Sequence, residues 1–471
     1  MSAAGVIAIA GCVQLDLAGR RCGDGHDCLD AFICSDGHCL RRDTLPPCEG
    51  TADCDGVDLC IDGVCLPSPV PAAPMPAGPF CQPLPEPSGA VVEVSEVERL
   101  IELADGAASP GDTLLVADGV YGFASDPLKV SVPDLTIRAA SGDAARVIFD
   151  GRGAAEEDVV DIVTTGFSLA DVTVLGATDN AFKADGEEVA SNGLRIHRSR
   201  VVDAAIGGIV LAQTVFAVDG GEISCNRVEL TDAGRALDGC AEREAISLRT
   251  TAGWTVRDNL IVGFYCLDEP APAAILVTES SADTVVERNV IVDARVGIQL
   301  GTSDASVQRV HPGDPCGAGI EVRGHFRGVV RNNFVSGLGA ALAGSANGFE
   351  AGIVLERACE TIVVHNSTAG PADRPAIVVR GAESTGVVVH NHLGTGPRAL
   401  QDGAPAPLDV GGRYDASTSS FVDAEAGDLH LLPGSGAEDA GDPGPAPGAR
   451  ADDIDGAAVV DGEPDQGADE L

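Results

Sequence analysis

The chain has 471 residues, 72 of them acidic and 30 basic, giving a formal net charge of −42, and its only lysines are Lys129 and Lys183. That charge repels phosphate backbones and anionic head groups, so nucleic acid is not expected as a partner, and membrane contact is expected only through a lipid anchor. Hydrophobic residues make up 44% of the chain but aromatics only 3%, so the core must come from Val, Ile, Leu and Ala. No apolar run approaches the roughly 20 residues of a membrane-spanning helix.

Residues 1–12 are a short apolar stretch ending Ile9-Ala10-Gly11-Cys12. This resembles a bacterial lipobox, although no Lys or Arg precedes the apolar run. The resemblance implies acylation of Cys12 and, since Val13 follows it, sorting to the outer membrane. The expected location is therefore a lipid-anchored protein at the surface or in the periplasm, or otherwise a secreted one.

Residues 13–66 hold one cysteine module twice. Cys22, Cys28, Cys34 and Cys39 are separated by five, five and four residues, and Cys48, Cys54, Cys60 and Cys65 repeat those gaps 26 residues on. Even numbers in so small a segment point to two disulfides per module, with the connectivity open. Zinc is disfavoured because there is no CxxC pair and His26 and His38 have no counterparts in the second copy. Residues 67–91 are Pro-rich and are expected to form an extended, semi-rigid spacer that holds the rest away from its anchor. The pairing of Cys81 inside it is open.

Residues 92–436 carry the dominant pattern. VSEVERLIELA, beginning at Val94, has helical periodicity and is expected to cap the open end of a core. Further on, an Asn recurs at 226, 259, 289, 333, 366 and 391, at intervals of 33, 30, 44, 33 and 25 residues. The residue three before each is Ile223, Val256, Val286, Val330, Val363 or Val388, and Ile246, Ile275, Ile353 and Ile377 stand 13 or 14 residues before their Asn. The segments between are short, β-branched and bounded by Gly, Asp, Asn or Thr, which predicts strands in a solenoid of about nine to eleven coils. Stacked coils would line the Asn residues into a hydrogen-bonded ladder at a turn.

The phrases PGDTLLVADGVYGF, LTIRAASG and VIFDGRG resemble the opening coils of the pectate-lyase-like superfamily, above all the chondroitinase B and alginate lyase type. The central run, with its VVERN, VRNN and VVHN phrases, is similar to secreted bacterial β-helix lipoproteins. These resemblances imply an all-β fold, a single-stranded right-handed parallel β-helix preceded by disulfide-rich modules. They also imply extracellular polysaccharide or glycan as the contact. The catalytic residues of that type do not carry over: no Lys follows Lys183, and the outward positions Ser247, Arg249, Leu276, Thr278, Gln299, Val354, Glu356, Val378 and Arg380 read as a mixed face. Catalysis therefore stays open between a lyase-like surface protein and a non-catalytic display or adhesion protein. No cofactor is implied beyond a structural or catalytic calcium ion, and a monomer is expected.

Two interruptions of the coil rhythm mark the candidate ligand groove, the Cys225-to-Cys240 loop and the insertion 301–326. They gather Asp232, Arg235, Glu244, His311, Asp314 and His325, a set able to meet hydroxyls and a carboxylate, with pairing of Arg235 to Asp232 or Asp238 as the ordinary alternative. Expected disulfides are Cys225 with Cys240 and Cys266 with Cys316, leaving Cys359 free. Residues 437–471 are acidic and resemble the C-terminal segment of secreted β-helix proteins. There Asp439, Asp455 and Asp465 are solvated turn residues or ligands of a structural cation.

Overall fold

The computed structural model describes residues 32–35, 38–48, 53–54, 58–61, 64–70, 72–123, 126–152, 158–236, 239–302, 326–345, 347–397, 399–403, 416–442, 452–457 and 464–470. They fall into two compact units, 1–71 and 72–471. In the first, Phe32–Ser35 pairs antiparallel with His38–Arg41, and Leu59–Ile61 pairs likewise with Val64–Leu66. Disulfides join Cys48 to Cys60 and Cys54 to Cys65, so the second module connects first to third and second to fourth cysteine. Cys12, Cys22 and Cys28 lie outside the described residues, as do the side chains of Cys34 and Cys39.

The second unit is a right-handed parallel β-helix. Strands fall into three parallel sheets; Val91–Val94 pairs with the next strand, Thr113–Val116, and from there each strand pairs with the third strand after it. Sheet I has eleven strands, from Val91–Val94 to Val388–His390; sheet II has ten, from Gly119–Gly122 to Leu393–Gly394; sheet III has ten, from Leu128–Val130 to Ala399–Asp402. Ten coils result. Alternation along each short strand sends every second side chain inward, and register then stacks like on like. In sheet I, Ile223, Val256, Val286, Val330 and Val363 form one column. In sheet III, Phe182, Ile209, Ile246, Ile275, Ile298, Ile353 and Ile377 form another. All are fully buried. At the N-terminal end, the helix Val97–Glu102 and the turn after it bury Leu100, Leu103 and Ala104 over the first coil, as the periodicity of that stretch predicts.

The asparagine ladder runs coil to coil along the corner between sheet I and sheet II. Asn226 Nδ2 donates to Asn259 Oδ1 at 3.0 Å, Asn259 to Asn289 at 2.9 Å, Asn289 to Asn333 at 2.9 Å and Asn333 to Asn366 at 2.8 Å. The same acceptor oxygens take backbone N–H groups of the preceding coil. Before each Asn the backbone turns left-handed, at Cys225, Asp258, Arg288, Asn332 and His365. Asn391 departs from the expected pattern. Register places Val388 beside Ile362 and Val389 beside Val363, so Asn391 falls in the left-handed position, with φ 48°, and His392 occupies the ladder slot. The phrase VVHN occurs in both coils, but three consecutive valines satisfy in–out alternation in either register. The turn decides, because Gly386 with φ 67° takes the place of Glu360 with φ 48°.

The disulfides also differ from expectation. Cys225 bonds to Cys81, with Cα atoms 5.4 Å apart, and Cys240 bonds to Cys266 at 5.9 Å. Cys225 sits at the left-handed corner, where the preceding segment can reach it; Cys240 and Cys266 occupy neighbouring coils, one period apart. Cys359 is disulfide-bonded and not free. Residues 72–87, expected to stand off as a spacer, instead run along the helix. Carbonyls of Pro74, Leu84 and Pro85 accept from Arg227 and Arg138, the Gln82 carbonyl meets His197, and Arg288 stacks on Phe80 at 4.1 Å. Parallel pairing ends at Asp402; within the stretch expected as solenoid, Phe421–Asp423 and Asp428–Leu431 form an antiparallel hairpin. Its Phe421, Leu429 and Leu431 join Ile454 and Ala468 over Phe334, Ala369 and Leu393 on the outside of sheet II.

Candidate functional site

Of the residues expected to line a groove, His311, Asp314 and His325 lie outside the described residues. Asp232 and Arg235 share a short helix, Asp232–Arg235, capped by the Thr231 side chain. Arg235 Nη1 donates to the carbonyls of Leu230 and, at 2.9 Å, Gly263; Nη2 pairs with Asp232, and the guanidinium lies 4.4 Å above the Tyr265 ring. These contacts use the arginine to fix its loop against the next coil, and the pairing with Asp232 is the ordinary alternative to ligand binding. Glu244 is buried and accepts from Arg249 Nη2 at 2.9 and 3.1 Å. The structure does not bring Asp232 and Glu244 together through any bond among the described residues.

The solvent side of sheet III carries a different constellation. At its N-terminal end, register stacks the outward residues Lys129, Asp161 and Lys183 on successive strands, so both lysines of the chain flank one aspartate at a strand spacing of about 4.8 Å. Lys129 Nζ donates to both oxygens of Glu188 at 2.9 Å, and Lys183 Nζ lies 3.2 Å from Asp158 and 3.5 Å from Asp185. The hydrogen bond to Glu188 holds Lys129 above its ordinary pKa. Burial alone would lower Lys183, but Asp158 and Asp185 outweigh it and raise the group. Asp161 is pushed up to about 6 by burial, reinforced by Asp158 and Asp185. Both lysines are therefore fixed cations, while the carboxyl of the aspartate between them is held up at about 6.

Toward the C-terminal end the outward column continues as Val210, Ser247, Leu276, Gln299, Val354 and Val378. Beside Val378 opens a cavity of about 320 Å³ lined by Arg295, Asn347, Glu350, Arg374 and Arg380. Glu350 pairs with both Arg295 and Arg380, and Arg295 Nη1 also donates to the Ala271 carbonyl at 3.1 Å. Arg374 is exposed, and among the described residues its guanidinium makes no ion pair. Three guanidinium groups against one carboxylate leave a local excess of two positive charges, in a chain of net −42. Guanidinium presents paired donors matched to a carboxylate, so the cavity suits an anionic group and, with Asn347, adjoining hydroxyls. The sequence carries a signal for this set: Arg295, Glu350 and Arg374 each stand three residues before the inward Ile298, Ile353 or Ile377.

Two other clusters bear metal-ligand residues. Cys48, Cys54 and Cys65 are consumed by disulfides. His430, Asp455 and Asp469 form the second, in the C-terminal segment.

No family model and no curated protein matches the chain. Among solved structures it is similar to the pectate lyase Pel9A at 12% identity, covering 78% of this chain and 90% of that one, with a TM-score of 0.48. An alginate lyase from Paenibacillus sp. is similar at 12% identity, over 69% of this chain and 99% of its own, with a TM-score of 0.40. The tailspike protein of E. coli bacteriophage HK620 matches at 12% identity over 68% of this chain and 56% of its own, with a TM-score of 0.36. The architecture, a parallel β-helix, stands on the three parallel sheets and their register.

Proposed function

We propose that this is a lipid-anchored cell-surface protein whose sheet III binds an extended, carboxylate-bearing polysaccharide, with the arginine cavity holding one sugar carboxylate. The observation that carries the reading is the excess of guanidinium over carboxylate in a cavity on a strongly acidic chain. A flat parallel face several strands long, polar at one end and partly apolar at Leu276, suits a chain of linked sugars, since aliphatic patches meet sugar C–H faces. Binding without turnover is favoured by one feature: the only two lysines are held protonated by their carboxylate neighbours and so serve as cations, not as proton acceptors. Calorimetry with oligomers of galacturonate or mannuronate should show binding, and neutral dextrin of equal length should show little. Loss of one charge-assisted contact is expected to weaken Arg374→Ala about tenfold. Absorbance from new double bonds should not rise. Equal affinity for neutral and acidic oligomers, or no effect of Arg374→Ala, would reject the assignment. Anchoring is checked separately, by palmitate incorporation that Cys12→Ala abolishes.

A further inference from the structure

Outside the sheet III face, the C-terminal segment folds back so that His430 on the hairpin strand Asp428–Leu431 meets Asp455 and Asp469 from two later stretches. One ligand atom from each lies within 4.8 Å of the others. The imidazole is held in place: Nδ1 bonds Asp428 Oδ1, and the ring sits edge-on to Phe334 with centroids 5.0 Å apart. When the ring is neutral with its proton on Nδ1 toward Asp428, Nε2 keeps a lone pair. That nitrogen is buried and makes no aligned hydrogen bond among the described residues, although Asp455 Oδ2 is only 3.2 Å away. A lone pair facing a carboxylate is repulsive unless a proton or a metal ion lies between them. Asp469 is buried, and its Oδ2 is oriented by the Leu431 N–H at 2.6 Å. A carboxylate holding the far nitrogen of a histidine, with further carboxylates converging on the near one, is the arrangement that fixes ring tautomer and direction in metal centres.

We infer that His430, Asp455 and Asp469 bind a first-row divalent metal ion, with Asp428 orienting the imidazole. One nitrogen and two carboxylate oxygens suit zinc better than calcium, which takes oxygen ligands throughout. Zinc at about 2.0–2.2 Å from each ligand places the donor atoms roughly 3–4 Å apart, so donor atoms within 4.8 Å of one another need to close by at most roughly 1–2 Å. The ion would tie residues 452–457 and 464–470 to the hairpin and so fasten the cover over the outside of sheet II. Asp455 is 69% exposed, so removing its charge should leave folding intact, whereas His430 is more deeply placed.

The test uses the full, oxidised chain stripped with chelator and desalted, then titrated calorimetrically and melted with zinc, with calcium and with no metal. Zinc should bind near one equivalent and raise the melting temperature by about 3 °C or more at a large excess over Kd. Asp455→Asn should melt like the metal-free parent and bind zinc at least about tenfold more weakly, and His430→Gln should lose the zinc-dependent rise. Cobalt(II) should give a visible absorption band that both variants diminish. The inference is overturned if Asp455→Asn and His430→Gln bind zinc as the parent does, or if calcium stabilises and zinc does not.

Discussion

Asn289 shows how much rests on one side chain. Its Nδ2 donates to Asn333 Oδ1 and to the Val256 carbonyl, both at 2.9 Å, while its Oδ1 accepts from the side chain and backbone N–H of Asn259 at 2.9 and 3.2 Å. Water cannot substitute, because the residue is completely buried. Removing the amide strands several buried polar groups, each costing about 1–3 kcal/mol. Asn289→Ala should therefore lose roughly 3–5 kcal/mol in urea unfolding. Asn391, by contrast, exchanges bonds with the backbone of Asp442 at 2.8 and 3.2 Å and stands outside the ladder. Asn391→Ala should cost only about 1–2 kcal/mol. Equal losses in the two variants would mean that Asn391 stacks with Asn366 after all, and the slipped register of the last coil would be wrong.

At the level of elements, the segment 72–87 illustrates what a chain does with proline-rich sequence when anchor points are available. It cannot pair as a strand, but its carbonyls accept from Arg138 on sheet I and Arg227 on sheet II, and the Cys81–Cys225 bridge fixes its course. Opening that bridge removes a constraint across 144 residues and should cost about 2–4 kcal/mol. The double variant Cys81→Ser with Cys225→Ser should become open to limited proteolysis between residues 72 and 87, while its circular dichroism keeps the strand signal of the coils. Cleavage equally slow in parent and double variant would show that the arginine contacts alone hold the segment. The same elements show what sequence can convey. Strand columns and the ladder were legible because inward positions repeat in residue type and spacing, as with Ile246, Ile275, Ile353 and Ile377. The capping helix was legible from its period. Pairing of Cys81 was not, since a corner cysteine and a linker cysteine share no periodicity. Nor was the site: Arg295, Glu350 and Arg374 keep the coil rhythm at a slot whose residue type does not repeat, so no break in spacing marks them. Arg235 carried a plausible anion-binding side chain, yet nothing in its spacing revealed the Tyr265 ring and the two carbonyls that claim it.

For the molecule as a whole, an excess of acid is tolerable only where carboxylates are paired or left in water, and the sheet III column breaks that rule at Asp161. Asp158 and Asp185 crowd it, Lys129 and Lys183 flank it, Glu188 and Asp105 act on Lys129, and burial pushes Asp161 up to about 6 from 3.8. The folded state thus holds the Asp161 proton more tightly than the unfolded chain does, so this group's contribution to stability is complete below about pH 4 and is lost as pH rises through about 6. Above that range the ionised group works against folding, by about 1 kcal/mol once the solvent still reaching it is allowed for. Asp161→Asn should consequently unfold at a higher temperature than the parent at pH 7.5 and at nearly the same temperature at pH 4. Other carboxylates will shape both pH profiles, but they cancel in the difference between the two proteins as long as the lysine pairs with Asp158, Asp185 and Glu188 persist. A variant less stable than the parent at pH 7.5 would mean that the ionised Asp161 is needed between its two lysines. The column would then act as a mutually stabilising ion network and not as a group held near its titration point.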